Sequence, residues 1–268
     1  MSTTSQPQFG ALIRNSMFEL ILTCVLLFGV TTIVRFVVGA SPISRALPQI
    51  HFQLFLVGAL VAVLLSLLII SRAGKASGGH MNPAISLAMW RFGVFPAVGI
   101  VPYIAAQLIG SILGVLAARV VWGEIVARPP VLYAVIQPAP VWSSSQLFAV
   151  ELIGMGLIVF MVGYFLSNPR LAPNVPWLVG ILIGLGIALF GTEAGGSLNP
   201  ARQFGPAVVS AHTAKLWVFL VAPMVGAELG AQLLRTFRKR RHVLTHRLCG
   251  TDPDGDRLDE AFIDGALW

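Results

Sequence analysis

The sequence predicts an all-α membrane protein: six transmembrane helices plus two half-helices in an inverted 3+3 repeat. Three observations carry that prediction. The first is composition. Of 268 residues, 56% are hydrophobic and only 11% charged, with a mean hydropathy of +0.82, whereas a soluble domain carries about 25% charged residues. The second is a set of six apolar runs, each long enough to cross a hydrocarbon core of about 30 Å. The third is Asn-Pro-Ala, which occurs twice, at Asn82-Pro83-Ala84 and at Asn199-Pro200-Ala201. Each copy has a glycine-rich approach (Ser77-Gly78-Gly79 and Gly195-Gly196-Ser197). Each leads into a mostly apolar run of about ten residues, too short to span a bilayer. Asn can cap the first free N–H groups of a helix, and Pro in the first turn loses no hydrogen bond. Each copy therefore reads as the start of a half-helix.

The elements follow in order. Residues 1–16 form a polar N-terminal tail, and no cleavable signal peptide is expected, because the first apolar run is long and contains Glu19. Span 1 covers residues 17–39, with Glu19 near its start and Arg35 near its end. A proline-containing loop, 40–50, leads to span 2 at 51–71. Loop 72–81 carries the first Asn-Pro-Ala and a half-helix to about Trp90, and span 3, 93–118, has no charged residue. The longest connection, 122–145, contains Pro129, Pro130, Pro138 and Pro140. Span 4, 146–167, has Glu151 near its start, and span 5 covers 174–191. Loop 192–198 reaches the second Asn-Pro-Ala, whose half-helix runs to about Ser210. Span 6, 214–236, carries Glu228, and residues 237–268 read as a polar C-terminal tail.

This order is an internal repeat. The membrane domain covers 17–236, with repeat 1 at 17–121, repeat 2 at 146–236 and a linker between them. Three crossings per repeat is an odd number, so the second repeat must be inverted. Inverted repeats with broken helices place a solute site near the midplane. The half-helices then enter from opposite faces and meet tip to tip. Irregular backbone at that depth is tolerated only where protein buries it or where it lines a watery cavity. Both positive helix ends face one point, which opposes cations and protons. Asn82 and Asn199 offer amide donors to the same point. The physics favours a small neutral solute that forms hydrogen bonds. Arg202, a charge near the membrane interior, costs at least about 2.5–3.5 kcal/mol to insert. It reads as a fixed cation at the outer mouth.

Six crossings put both termini on one face. The tail from Arg235 to Arg257 carries seven Lys/Arg, which marks that face as cytoplasmic. The alternative use of a basic run, nucleic-acid binding, is disfavoured directly after a membrane span. Five tryptophans (Trp90, Trp122, Trp142, Trp177, Trp217) fall near the ends of apolar runs, as in an interfacial belt. Gly110/Gly114, Gly180/Gly184 and Gly226/Gly230 have the spacing that lets membrane helices pack closely. The two cysteines do not indicate a disulfide scaffold. No phosphate loop, metal-ligand cluster or catalytic nucleophile is recognisable, so no enzyme activity, metal or cofactor is expected. Asp252 to Asp256 hint at a calcium loop, but Gly255 and Ile263 occupy the wrong positions for one.

Here the sequence resembles the aquaporin, or major intrinsic protein, family over roughly residues 15–236. Residues 77–84 and 196–207 look like its two pore motifs. Glu19 and Glu151 match glutamates that the family places in its first and fourth helices. The resemblance implies a multi-pass protein of the plasma membrane, a homotetramer in the lipid bilayer with one pore per subunit. It also implies a four-residue filter at Ala62, Ile187, Gly196 and Arg202. Water-selective members carry large aromatic and histidine side chains where this chain has Ala62 and Ile187. The set is similar to that of a nodulin-26-like plant subgroup associated with boric acid and other hydroxylated solutes. Ala207 resembles the water channels, whereas Gln203 matches neither water channels nor glycerol facilitators. By their equivalent positions, Glu19 and Glu151 are expected to hold the two loops rather than to couple protons. His80 is expected to form a structural hydrogen bond at the inner vestibule, with a pH gate as the alternative. The expected function is a passive channel for water, glycerol or boric acid. The rivals are a water-only channel and an ion-coupled transporter. The transporter would need a midplane ion site, yet no aspartate precedes Asp252.

Overall fold

A computed structural model describes residues 6–237 and 242–251 of the chain. Its regular elements there are all helical. The first repeat consists of α1 (Gln6–Val37), α2 (Pro42–Ala46), α3 (Ile50–Ile70), α4 (Arg72–Ser77), α5 (Pro83–Arg91) and α6 (Ile100–Trp122). The second consists of α7 (Ser144–Leu166), α8 (Val175–Phe190), α9 (Pro200–Ser210) and α10 (Leu216–Phe237). The helices α1, α3, α6, α7, α8 and α10 are long and apolar enough to cross a membrane. The half-helices α5 and α9 are not.

Two of the expected loops and one tail are partly helical. α1 begins at Gln6 because the polar residues ahead of its apolar run are compatible with a helix, and Pro7 falls in the first turn where no donor is needed. Ser41 caps α2 through a capping box with Ser44, and Pro42 occupies the first turn. Ser71 caps α4 by accepting from the Gly74 N–H at 3.1 Å.

The two repeats pack in equivalent ways. α1 lies on α6 as α7 lies on α10, and α3 crosses α8 at the junction between repeats. Each half-helix also leans on the third helix of the other repeat, α5 on α10 and α9 on α6. The three Gly-x-x-x-Gly pairs sit at those crossings. A Cβ at Gly110 or Gly114 would lie 2.3 or 2.2 Å from the carbonyl oxygens of Leu20 and Cys24 in α1. A Cβ at Gly226 or Gly230 would lie 2.2 or 2.3 Å from those of Leu152 and Gly156 in α7. At the α3–α8 crossing, Gly184 would meet the Gly58 oxygen at 2.6 Å. No side chain fits at such distances, so the backbones touch and the tilt of every span is fixed around the central axis.

The C-terminal stretch read as a polar tail is partly packed on the body at 242–251. It folds back on the body, with Val243, Leu248 and Cys249 buried in the main apolar cluster. The backbone N–H of Leu244 donates to Leu166 O at 3.1 Å, and that of Leu248 donates to Gly78 O at 3.0 Å. The segment is too short and too mixed in polarity to read as an element. Its partners come from sequence-distant parts of both repeats, so nothing local reveals it. The acidic stretch around Asp252 lies outside the described residues.

Candidate functional site: two facing half-helices

The approach to each half-helix has the same backbone. Gly78 and Gly79 have φ of +104° and +65°, and Gly195 and Gly196 have +92° and +56°. Two residues later, Met81 and Leu198 are held at φ +47° and +50°, a region costly for residues with a Cβ and common where function over-determines the backbone. The next residue in each loop is the Asn cap. Asn82 Oδ1 accepts from the Ala84 N–H at 3.0 Å. Asn199 Oδ1 accepts from Ala201 at 2.9 Å and Arg202 at 3.3 Å. Pro83 and Pro200 each occupy the first helical turn.

The left-handed residues serve the partner loop. Asn82 Nδ2 donates to Leu198 O at 3.0 Å, and Asn199 Nδ2 donates to Met81 O at 2.9 Å. The two half-helix tips are thus cross-linked by a reciprocal pair of hydrogen bonds. An amide NH₂ has two donors, so each Asn keeps one N–H beyond this cross-link. Both asparagines line the central cavity.

The glutamates hold the loops from behind. Glu19 accepts from the N–H groups of His80 at 3.0 Å and Met81 at 2.7 Å, from Ser77 Oγ at 2.7 Å and from Gln107 Nε2 at 2.9 Å. Glu151 accepts from the N–H groups of Ser197 at 2.8 Å and Leu198 at 2.7 Å. Neither carboxylate lines the cavity. Sequence reading did not single out Tyr103, Gln107 and Ser111, which sit four residues apart on one face of α6. Tyr103 donates to Ser77 O at 2.7 Å, and Gln107 also bonds Ser86 Oγ at 3.1 Å. Ser111 accepts from the Gly205 N–H of α9 at 2.9 Å. A polar stripe at helical spacing inside an uncharged span was the available signal.

The central cavity is slender, about 30 Å³, room for a water molecule or two. Leu26, Val30, Val61, Leu65, Met155, Ile158 and Ile183 supply its apolar wall, and Asn82, Asn199, Arg202 and His80 supply its polar points. Of the four expected filter positions, Ile187 and Arg202 lie on this cavity. Val61 rather than Ala62 lines it from α3. The Ala62 Cβ points toward Gly184, where an added Cβ would stand 3.1 Å away. Gly196 presses against α8, where an added Cβ would meet Gly186 O at 2.4 Å.

At one end of the cavity, Arg202 Nη1 donates to Ala134 O at 2.8 Å and approaches Gln203 Oε1 at 3.4 Å. The Ala134 carbonyl comes from three successive left-handed residues, Leu132, Tyr133 and Ala134. Gln203 fixes that linker in both directions, accepting from the Ile136 N–H at 3.1 Å and donating to Ile136 O at 2.9 Å. At the other end, His80 Nδ1 pairs with Ser86 Oγ at 3.0 Å, and Nε2 pairs with the His246 carbonyl at 3.0 Å. The carbonyl has no proton, so Nε2 carries the hydrogen and Nδ1 accepts. Burial, with His80 and Arg247 nearby, pushes the His246 imidazole down from 6.5 to about 3. Glu228 forms an ion pair with Arg91 at 2.6 Å, joining α10 to α5 at the half-exposed surface. Among the described residues, no cluster of His, Cys, Asp and Glu is placed to hold a metal ion.

Six spans around two half-helices capped toward each other define a membrane channel. Comparison with known proteins gives the family. Residues 5–234 match the model of the major intrinsic protein family, and the chain belongs to it. It is 33% identical over 229 residues to the probable aquaporin NIP7-1 of Arabidopsis thaliana, covering 84% of this chain and 76% of the relative. It is 35% identical over 191 residues to the probable aquaporin AqpM of Archaeoglobus fulgidus, covering 69% of this chain and 77% of the relative. The X-ray structure of the aquaglyceroporin from Plasmodium falciparum shares the fold, with a TM-score of 0.66 at 23% identity, covering 85% of this chain and 96% of that one. Members of this family are channels for water or small solutes, and the chain is not an enzyme.

Proposed function

We propose that the chain conducts water and small uncharged hydroxylated solutes such as glycerol or boric acid passively, and excludes ions and protons. The observation that carries this reading is the pair of Asn-capped helix ends, bonded to each other's loop across the cavity. Each helix end is equivalent to about half a positive charge, and no carboxylate among the described residues lines the cavity to offset it. A cation that sheds water there meets repulsion and an apolar wall. A neutral solute meets amide donors, the Arg202 guanidinium and backbone acceptors. Asn82, Asn199 and Arg202 orient the solute. Ile187 stands beside Arg202 on the cavity wall, and neither it nor the flanking Ala62 and Gly196 brings an aromatic or imidazole ring to the filter. Glu19 and Glu151 hold the loops. The aquaporin relatives support a channel for water or small solutes, and the absence of a large aromatic or histidine at Ala62 and Ile187 favours the wider range. The slender cavity favours a second reading, a channel restricted to water.

The assembly we propose is a homotetramer in the plasma membrane with both termini in the cytoplasm. The basic residues after α10 favour that orientation, and no nucleic-acid partner is needed to account for them. Proteoliposomes carrying the purified chain test the solute range. Swelling in isotonic glycerol or boric acid above that of empty vesicles supports it. Water flux with no solute flux leaves the water-only reading.

A further inference from the structure

We propose that residues 243–250 are a built-in lid, which closes the mouth of the conduit on the face holding the chain ends and opens it by undocking. This rests on the channel reading above. The segment touches both repeats beside the cavity-lining His80. Leu244 is hydrogen-bonded to Leu166 at the end of α7, and Gly250 packs on Ala172 in the turn before α8, both in the second repeat. Leu248 is hydrogen-bonded to Gly78, and the His246 carbonyl to His80, both in the re-entrant loop of the first repeat. Leu244 and Leu248 are four residues apart, and a fully extended chain of that length reaches about 14 Å. The two attachment points therefore lie within one short bridge, formed by Thr245 to Arg247. His80 is the cavity-lining residue at this end, so the lid binds the wall of the conduit itself.

The attachment is specific. Leu248 and Cys249 are buried with Ile69, Val162, Leu166 and Val175 in one apolar cluster. The His246 ring stands 5.4 Å from Phe95 and 5.7 Å from His80, centre to centre. The attachment is also short. Among the described residues, two backbone–backbone hydrogen bonds join the segment to the body, and His246 Nδ1 is buried without a partner. A short segment carrying an unsatisfied buried atom opens more readily than the spans beneath it.

Two measurements on the full chain test the proposal. In a Cys24→Ala background, Cys249 is the remaining thiol, and its maleimide labelling reports docking. The full chain should label slowly, and Leu248→Arg should label about tenfold faster or more. Labelling at the free-thiol rate in both chains overturns the lid. Water permeability per channel is then measured by stopped-flow light scattering for the full chain, for Leu248→Arg, and for a chain with a protease site replacing residues 238–241, cut after reconstitution. The lid predicts a severalfold rise for both altered forms. Unchanged permeability with Cys249 exposed overturns it and makes the segment a brace beside an open mouth. If no form conducts above empty vesicles, the channel reading fails, and the lid proposal falls with it.

Discussion

Loops 77–84 and 195–202 have the same frame and opposite surroundings. In both, a glycine pair with positive φ leads to a left-handed residue and then to an Asn cap. In both, a glutamate from the first helix of the repeat takes the two N–H groups ahead of Asn. The residue between the glycines and the left-handed position is His80 in one and Ser197 in the other. His80, on the cavity wall, bonds the returning C-terminal segment. Ser197 bonds within its own loop, donating to Asn199 O at 3.0 Å. The first loop is braced by α6 and covered by the C-terminal segment. The second is braced by the linker, through Gln203 and the Ala134 carbonyl. The symmetric part is what two helix tips need in order to meet. The asymmetric parts tie a guanidinium to the linker at the second loop and lay the C-terminal segment against the first.

The largest expected effect probes the symmetric part. Glu19→Leu strands four donors and Glu151→Leu two. At roughly 1–3 kcal/mol for each buried group left unpaired, both variants lose several kcal/mol, offset in part by removal of a buried anion. Glu19→Leu is expected to lose more, read as yield and thermal midpoint in detergent. Equal losses would mean that Gln107 and Ser77 add nothing to the first loop.

The next effect is on selectivity at the second loop. Arg202→Val removes the fixed cation and should raise permeability to glycerol and to small cations relative to water by about tenfold or more, equivalent to about 1.4 kcal/mol. Selectivity like that of the parent chain would take Arg202 out of the filter. Gln203→Ala should act more weakly in the same direction. It frees the linker by removing two hydrogen bonds worth about 1 kcal/mol each, and should raise the glycerol-to-water ratio severalfold. Gln203→Glu, which keeps the acceptor for Ile136 N–H, should recover part of the loss. A ratio unchanged in Gln203→Ala would show that the linker stays in place without it.

The smallest effect concerns the covered mouth and pH. His246 has an ordinary pKa when undocked and about 3 when docked. The docked form binds its proton less readily, so the docked state loses stability as pH falls below 6.5. The titratable and charged groups against it are His80 of the re-entrant loop and Arg247 beside it. Each unit of pH in that window is worth up to about 1.4 kcal/mol for one such group. Water permeability should rise between pH 7 and pH 5, and His246→Phe should flatten that rise. A flat profile in the parent chain would separate the covered mouth from histidine protonation.

Much of this architecture was legible in sequence because it depends on local patterns. The six spans follow from apolar length, and the half-helices from Asn-Pro at a known distance after glycines. The glutamates follow from equivalent positions in two repeats. What was not legible depends on distant contacts. The Gln203–Ile136 pair joins residues 67 apart, and nothing in either stretch alone announces it. The left-handed run at 132–134 contains no glycine to betray it. The returning segment 242–251 binds elements from both repeats. Which residues line the cavity from α3, Val61 and Leu65, also depends on how that helix is turned against its neighbours.

The central claim is that two facing helix ends pass neutral molecules and reject charged ones. It is tested most directly by measuring water flux and proton flux in the same proteoliposomes, under an osmotic gradient and then a pH gradient. The account predicts fast water flux that does not saturate, with proton leakage equal to that of empty vesicles. Solute flux that saturates and follows an imposed ion gradient, or proton leakage that rises with the amount of protein, would contradict it.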